Sequence, residues 1–519
     1  MNLNLIPTVP CAAPNYWCTW RTQATVSGNA ALRGARSRTA DFIDEDFLFG
    51  RVNALGKIDT DLRRELIAVL DDGWDIPYGL TPYGEGREKT RDYYRYGSME
   101  MDGRRLPSCT GTPAERLAQM NERVRAMGYR GIGLWVCPQI CCPDPEKANA
   151  DAKEAEPYWA QRLRWCRDAG VLYWKIDWGL RAHDPEYREM MYEAALKHAP
   201  GLVIEQACTQ SPFDLRFSAR DTERYRQRCA EIRRYLAACH VFRLYDTSSQ
   251  FRHTTMIARC AEALRLGAEA NSAAVPNAED AVYVAAALGF TIGAMRHFPL
   301  ESEKENRYYE KLGVSIRTPM NALRRALRWQ RLAPPFAIRD SGYEVSVRML
   351  TDSYQYPYVE GDPWPHMSEK LCVQDCPAAV CRNMPLPRVE APYDEPPVAV
   401  ASVHPRTHAL GVYAAPRTIG GSVFNSIRAD VTVEASDAGA PCGIFGHVRS
   451  LTVVFPEPVE GRAVLAQDLS CGEAADITEQ AVLKGNRMTL SGELIDRIGL
   501  TRRDCDDELP GLTVALMKA

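Results

Sequence analysis

Val171-Leu172-Tyr173-Trp174-Lys175-Ile176-Asp177-Trp178-Gly179 is an apolar run that closes on a lysine, an aspartate and a glycine. In a strand, side chains two positions apart share a face, so Lys175 and Asp177 point the same way at the mouth of whatever the strand builds. A carboxylate held beside a cation stays ionised at neutral pH. Such a group can attack as a nucleophile or bind hydroxyls.

Working outward, short apolar β-rich runs alternate with longer segments of helical period from residue 15 to about residue 300, the pattern of parallel strands with crossover helices. The strands are expected at Asn15 to Trp20, Leu66 to Leu70, Gly131 to Val136, Val171 to Ile176, Leu202 to Glu205, Val241 to Tyr245, Gly267 to Ala273 and Thr291 to Met295. One helix shows the logic. Thr112 caps it, Pro113 suits its first turn, and Leu117, Met120, Val124 and Met127 recur at spacings of three and four before Gly128 ends it. Eight such units, with no Gly-rich phosphate loop after the first strand, fit a (β/α)8 TIM barrel over residues 1–325 better than an open sheet.

Beyond the basic helical segment Met320 to Gln330 the character changes. Residues 326–398 read as a linker with long loops, dense in Pro and Tyr over 351–398 and placed to reach the barrel mouth or a neighbouring subunit of a homo-oligomer. Residues 399–519 read as a C-terminal antiparallel β-sandwich, and alternating strands such as Tyr343 to Met349, Leu451 to Val454 and Leu512 to Met517 mark the second, mostly β part.

Barrel active sites are built where the strands end at their carboxyl termini. Reactive side chains collect there: Trp17, Trp20 and Arg21 at strand one, Asp71-Asp72-Gly73-Trp74 at strand two, Lys175 and Asp177 at strand four, Glu205-Gln206 at strand five, and Arg243 with Asp246 at strand six. Carboxylates accept hydrogen bonds from sugar hydroxyls, and tryptophan faces cover the C–H faces of a pyranose. The mixture therefore suits a carbohydrate better than a phosphate. Glycoside cleavage needs a pair of carboxyl groups, one to attack or activate water and one to protonate the leaving oxygen. Asp177 and Asp246 are candidates for that pair.

These residues resemble the clan D glycoside hydrolases, which include the family 27 and family 36 α-galactosidases. The matches are Asn15-Tyr16-Trp17, Asp71-Asp72-Gly73-Trp74, Gly128-Tyr129-Arg130-Gly131-Ile132-Gly133-Leu134-Trp135, Trp174-Lys175-Ile176-Asp177, the Arg243 and Asp246 pair, and Leu288-Gly289-Phe290-Thr291-Ile292-Gly293, all in the family's order. The resemblance implies a retaining exo-acting α-glycosidase with Asp177 as nucleophile and Asp246 as acid/base. It also implies Asp71 and Asp72 on the far hydroxyls of the sugar, Lys175 beside the nucleophile, Arg243 near the 2-hydroxyl, and Trp17 and Trp135 in the pocket wall. The chain departs from the family at two places. Arg243 to Asp246 is one residue shorter than the usual R-x-x-x-D, and Ile204-Glu205-Gln206-Ala207-Cys208 replaces the familiar strand-five motif. Asp214 is the substitute proton donor, and Glu205 either binds substrate or pairs with an arginine.

Composition narrows the rest. A formal charge of −4, with both signs mixed along the length, supplies no basic stripe for nucleic acid. The first residues lack a basic-then-apolar leader and no long apolar run occurs, so a membrane is not an expected partner and the cytoplasm is the expected compartment. Seventeen cysteines without a small-domain framework read as reduced thiols. The clusters Cys137, Cys141, Cys142 and Cys372, Cys376, Cys381 with His366 lack paired zinc spacing. No metal or organic cofactor is expected. Rival readings are a clan relative acting on an N-acetylgalactosaminide or arabinopyranoside, a barrel that binds carbohydrate without turnover, and a divalent-metal hydrolase using Asp71, Asp72 and Asp177.

Overall fold

In the computed structural model of the chain, the described residues are 3–28, 43–78, 95–207, 222–244, 252–295, 320–355, 371–392, 395–419, 422–503 and 508–518. Eight strands form the first sheet: β1 (Tyr16–Cys18), β2 (Ile67–Leu70), β3 (Ile132–Val136), β4 (Tyr173–Ile176), β5 (Val203–Ala207), β6 (Val241–Arg243), β7 (Val275–Asn277) and β8 (Gly293–Ala294). Their order is β7-β6-β5-β4-β3-β2-β1-β8. Every pairing along it is parallel. A parallel bridge between Asn277 and Thr291 joins the two ends, with the Thr291 amide donating to the Pro276 carbonyl at 2.9 Å. The expected (β/α)8 barrel is therefore closed.

Period-two alternation sorts each strand. Tyr16, Cys18, Ile67, Val69, Tyr173, Val241 and Met295 form a cluster of their own inside the barrel. Trp17, Ala68, Leu70, Leu134, Trp174 and Phe242 belong instead to the larger core between sheet and helices. Two glycines make room for the interior rings: a Cβ at Gly133 would lie 2.8 Å from Tyr173, and one at Gly293 would lie 2.5 Å from the ring of Tyr16. The helix expected after Thr112 spans Pro113–Ala126 and carries a full capping box, with the Thr112 hydroxyl and the Glu115 carboxylate each serving the other's backbone amide. Leu117, Met120 and Val124 are its buried stripe. Among the described residues, no helix is long and apolar enough to cross a membrane.

Strand seven corrects the sequence reading. Gly267 to Ala273 is not a strand, because helix Arg252–Glu269 runs into it, and the strand is Val275-Pro276-Asn277. Gly267 is helical for a packing reason: a Cβ there would meet Ile338 Cδ1 at 2.4 Å. The true strand was masked by its proline, which ordinarily argues against a central strand.

The C-terminal part holds an eight-stranded sheet that includes Tyr343–Val345 and Gly511–Met517, and a five-stranded sheet that includes Arg388–Glu390 and Arg487–Ser491. Val412, Ile444, Leu451, Val453, Val464, Leu490 and Val514 fill a second core. The sandwich is mixed rather than purely antiparallel, because Ala379–Arg382 with Val398–Val403, Leu410–Ala415 with Cys442–Phe445, and Asp430–Glu434 with Ser450–Val454 all pair in parallel. The stretch expected as loops over 351–398 contributes Leu371–Pro377, Ala379–Arg382 and Arg388–Glu390, so strands begin well before residue 399.

Buried arginines fasten the two parts. Arg325, fully buried on helix Met320–Trp329, pairs with Asp468 at 2.8 and 3.0 Å and with Glu508. Arg382 donates to the carbonyls of Leu288 at 2.9 Å and Ala337 at 2.7 Å. Removing one partner of such a pair leaves a buried charge uncompensated. Arg325→Ala is thus expected to lower unfolding free energy by about 3–5 kcal/mol in denaturant titrations. A loss under about 1 kcal/mol would show that the junction does not depend on this pair.

Candidate active site

At the carboxyl ends of the barrel strands, alternating charges form one buried chain. The Lys175 ammonium on β4 lies 2.6 Å from Asp71 Oδ2 and 3.3 Å from Asp177 Oδ2. Arg243 Nη1, from the end of β6, lies 3.5 Å from the same Asp177 oxygen, and its Nε lies 3.2 Å from Glu279 Oε1. None of these side chains is more than 5% exposed. Asp177 Oδ1 has no hydrogen-bond partner among the described residues. One oxygen of Asp177 therefore faces two cations while the other is unengaged.

The surroundings hold each charge in place. Burial pushes the Asp71 carboxyl up, but the Lys175 ammonium and hydrogen bonds from Cys18 and Lys175 outweigh it and bring it below its ordinary value. The Cys18 thiol donates to Asp71 Oδ2 at 2.8 Å. Burial and the neighbouring Asp71 raise that thiol well above its usual value, so it stays protonated. For Lys175, burial works against the charge and Asp71 more than restores it, a net upward shift. Arg188, 2% exposed on helix Pro185–His198, donates to the carbonyls of Ile176 at 3.2 Å and Asp177 at 2.7 Å and to Gln206 Oε1 at 2.5 Å. It ties the end of β4, and with it the Asp177 backbone, to β5.

Glu205 pairs with Lys175 in register from β5, one row below Arg243. Tyr16 OH at 3.3 Å, Tyr173 OH at 2.7 Å and Asn277 Nδ2 at 2.7 Å all donate to its carboxylate. Burial raises its carboxyl despite Arg243 and these donors. With both oxygens engaged, Glu205 braces the barrel floor beneath Arg243.

Of the residues singled out in the sequence, Asp71, Lys175, Asp177 and Arg243 converge. Asp72, 1% exposed, shares with Asp75 and Asp177 an electrostatic influence on Cys137. Trp135 sits beside Lys175 in register, and its ring lies 5.2 Å from Trp178 and 5.5 Å from Tyr96, with Tyr96 and Trp178 5.0 Å apart. Trp178 is the partly exposed member of this aromatic wall. Trp17 is placed elsewhere: it points outward from β1 toward the helices, 6.5 Å from the ring of Tyr129, because its neighbours Tyr16 and Cys18 take the interior positions. Asp246, Asp214 and His366 lie outside the described residues.

The structure adds residues that sequence reasoning passed over. Tyr16 and Cys18 were overshadowed by Trp17, although alternation from Lys175 and Asp177 was the signal that could have found them. Glu279 lies beyond the end expected for strand seven, so the strand-end criterion passed over it. Arg188 carried no signal, since an arginine on an amphipathic helix ordinarily faces water. Among the described residues, no group of three or more His, Cys, Asp or Glu side chains is arranged to hold a metal ion. A cleft of about 870 Å³ lies far from this site, between the N-terminal segment, the barrel and the C-terminal sheets, lined by residues including Arg328, Arg331 and Asp468. Two of its arginines are engaged, Arg328 with Asp61 at 3.3 Å and Arg331 with Glu65 at 2.8 Å.

Asp75 ties the loop after β2 to the segment bearing Tyr96, accepting from the amides of Gly97 at 3.1 Å and Met99 at 3.2 Å. Burial, opposed by those amides, raises its carboxyl from 3.8 to about 6. The folded state thus holds the proton more tightly than the unfolded chain, so the charge costs stability as pH rises through that window and costs nothing below it. Asp75→Asn is expected to raise unfolding free energy near neutral pH, by up to on the order of 3 kcal/mol, with the benefit fading toward acid. Denaturant titrations on either side of the window decide this, and an effect independent of pH would refute it.

No family model matches the chain, and no curated protein matches it. Similar solved structures include a Bacillus halodurans C-125 protein provisionally assigned as an α-N-acetylgalactosaminidase, at 12% identity and a TM-score of 0.40, with 100% of each chain covered. Another is a Bacteroides fragilis NCTC 9343 protein provisionally assigned as an α-galactosidase/melibiase, at 12% identity and a TM-score of 0.34, covering 99% of this chain and 80% of that one. A glucosidase from Croceicoccus marinus is 8% identical with a TM-score of 0.32, covering 89% and 92%. The barrel itself rests on the strand order and register given above.

Proposed function

We propose that the protein is a retaining, exo-acting α-glycoside hydrolase that removes a terminal α-galactose-like sugar. The observation that carries the reading is the state of Asp177: buried, its Oδ2 facing Lys175 and Arg243, its Oδ1 without a hydrogen-bond partner among the described residues. The cations engage one carboxylate oxygen, and the other is the one that attacks. The reading also takes the enzyme to be cytoplasmic and to need no cofactor.

In the first step Asp177 Oδ1 forms a bond to the anomeric carbon as the glycosidic C–O bond breaks, and the leaving oxygen takes a proton from the general acid, Asp246. In the second, the same group as carboxylate removes a proton from water, whose oxygen displaces Asp177 with net retention. Asp72 and the Trp135–Trp178 wall offer a hydroxyl acceptor and an apolar face for the sugar ring. Lys175, held by Asp71, steadies the nucleophile. Glu205, already engaged by three donors, leaves recognition at the 2-position to Arg243 and the groups above it.

A panel of nitrophenyl α- and β-glycosides tests the class: hydrolysis of the α-galactoside is expected, and activity confined to β-linked substrates would refute it. A 2-fluoro glycosyl donor should label Asp177 covalently, and an unlabelled protein that still binds the sugar would mark a barrel without turnover. Asp177→Ala should abolish hydrolysis. Asp246→Ala should slow glycosides with poor leaving groups by roughly 100-fold or more while sparing activated aryl glycosides. Equal losses on both would move the proton donor to another group, Asp214 first.

A further inference from the structure

The end of β7 carries a carboxylate that the reaction as written does not use. Glu279, 0% exposed, sits two residues beyond the strand with φ +45°, in the left-handed region that a residue with a Cβ occupies at a cost. Asn277 secures it there: Asn277 Oδ1 accepts from the Glu279 amide at 2.9 Å, while its Nδ2 donates to Glu205 at 2.7 Å. The constrained backbone brings Glu279 Oε1 to 3.2 Å from Arg243 Nε. The other two edges of that guanidinium face Asp177 Oδ2, 3.5 Å from Nη1, and Met295 Sδ, 3.5 Å from Nη2.

We infer that Glu279 is a positioning residue that sets the rotation of Arg243, so that a single terminal nitrogen approaches Asp177 and the attacking oxygen is left open. Guanidinium and carboxylate prefer a two-pronged fork when nothing prevents it. As an ion-pair partner 3.2 Å from Nε, Glu279 draws that side of the guanidinium away from Asp177. Released from that hold, Arg243 turns its fork onto both Asp177 oxygens and clamps the nucleophile. Among the described residues, the charged and titratable groups bearing on Arg243 include Glu279 after β7, Tyr16 from β1, Lys175 and Tyr173 from β4, Asp177 after β4 and Glu205 from β5. The inference rests on the reading of Asp177 as nucleophile.

Steady-state kinetics on an activated aryl α-galactoside test it with Glu279→Ala, Glu279→Asp and Glu279→Gln. The alanine and aspartate variants, which remove or withdraw the acceptor from Nε, are expected to lose roughly 100-fold in kcat with KM little changed. The alanine variant should also move the acidic limb of kcat/KM to lower pH, because more positive charge then bears on the nucleophile. Glu279→Gln keeps an oxygen in place beside Nε and should retain kcat within roughly fivefold. Wild-type kcat and an unmoved limb in Glu279→Ala would overturn the inference, as would a glutamine variant as impaired as the alanine one. If the alanine variant fails to melt cooperatively, the aspartate and glutamine pair decides, and wild-type kcat in Glu279→Asp would overturn it. Turnover surviving in Asp177→Ala, or absent in the wild type, would instead overturn the hydrolase reading on which this rests.

Discussion

Five charges removed from water at the carboxyl ends of the barrel strands set the terms for the site. Asp71, Lys175, Asp177, Arg243 and Glu279 alternate in sign, and each is tolerated in a buried position because its neighbours are of opposite charge. Burial without that alternation would neutralise the groups. With it, the Asp71 carboxyl sits below its ordinary value despite complete burial. A carboxylate in such a place is stripped of its hydration.

The barrel supplies this arrangement because strand geometry repeats. Alternation directs Cys18, Asp71, Lys175 and Arg243 to the interior, and parallel register brings Trp135, Lys175 and Glu205 into one row across β3, β4 and β5. Gly133 and Gly293 leave the volume that Tyr16 and Tyr173 need to reach Glu205 from below. Glu205 and its donors thus form a hydrogen-bonded polar group beside Lys175 and beneath Arg243, and Arg188 secures the β4 terminus from the helix side. The C-terminal sheets join through Arg325 and Arg382, so the second part of the chain braces the helices after β7 and β8.

Much of this was legible in the chain. The strand and helix rhythm, the capping box at Thr112 and the Lys175–Asp177 spacing follow from local rules that tertiary contacts do not override, and seven of the eight strands fall where those rules put them. The eighth case failed where two rules conflicted. Pro276 argued against a strand that barrel closure nonetheless stabilises, while Gly267 suggested a break in a helix that needs a small residue against Ile338.

The sequence by itself determined the fold class and the identity of the charged ends of β2, β4 and β6, because side-chain alternation and residue type are written residue by residue. Only the tertiary structure decided which of those ends meet and which residues complete them. Trp17 turned outward, Glu205 was claimed by two tyrosines and an asparagine, and Glu279 reached Arg243 through a left-handed turn. The physical reason is that charge pairing inside a barrel depends on distances between strands far apart in the chain, and those distances are set by closure of the sheet, which no local pattern encodes.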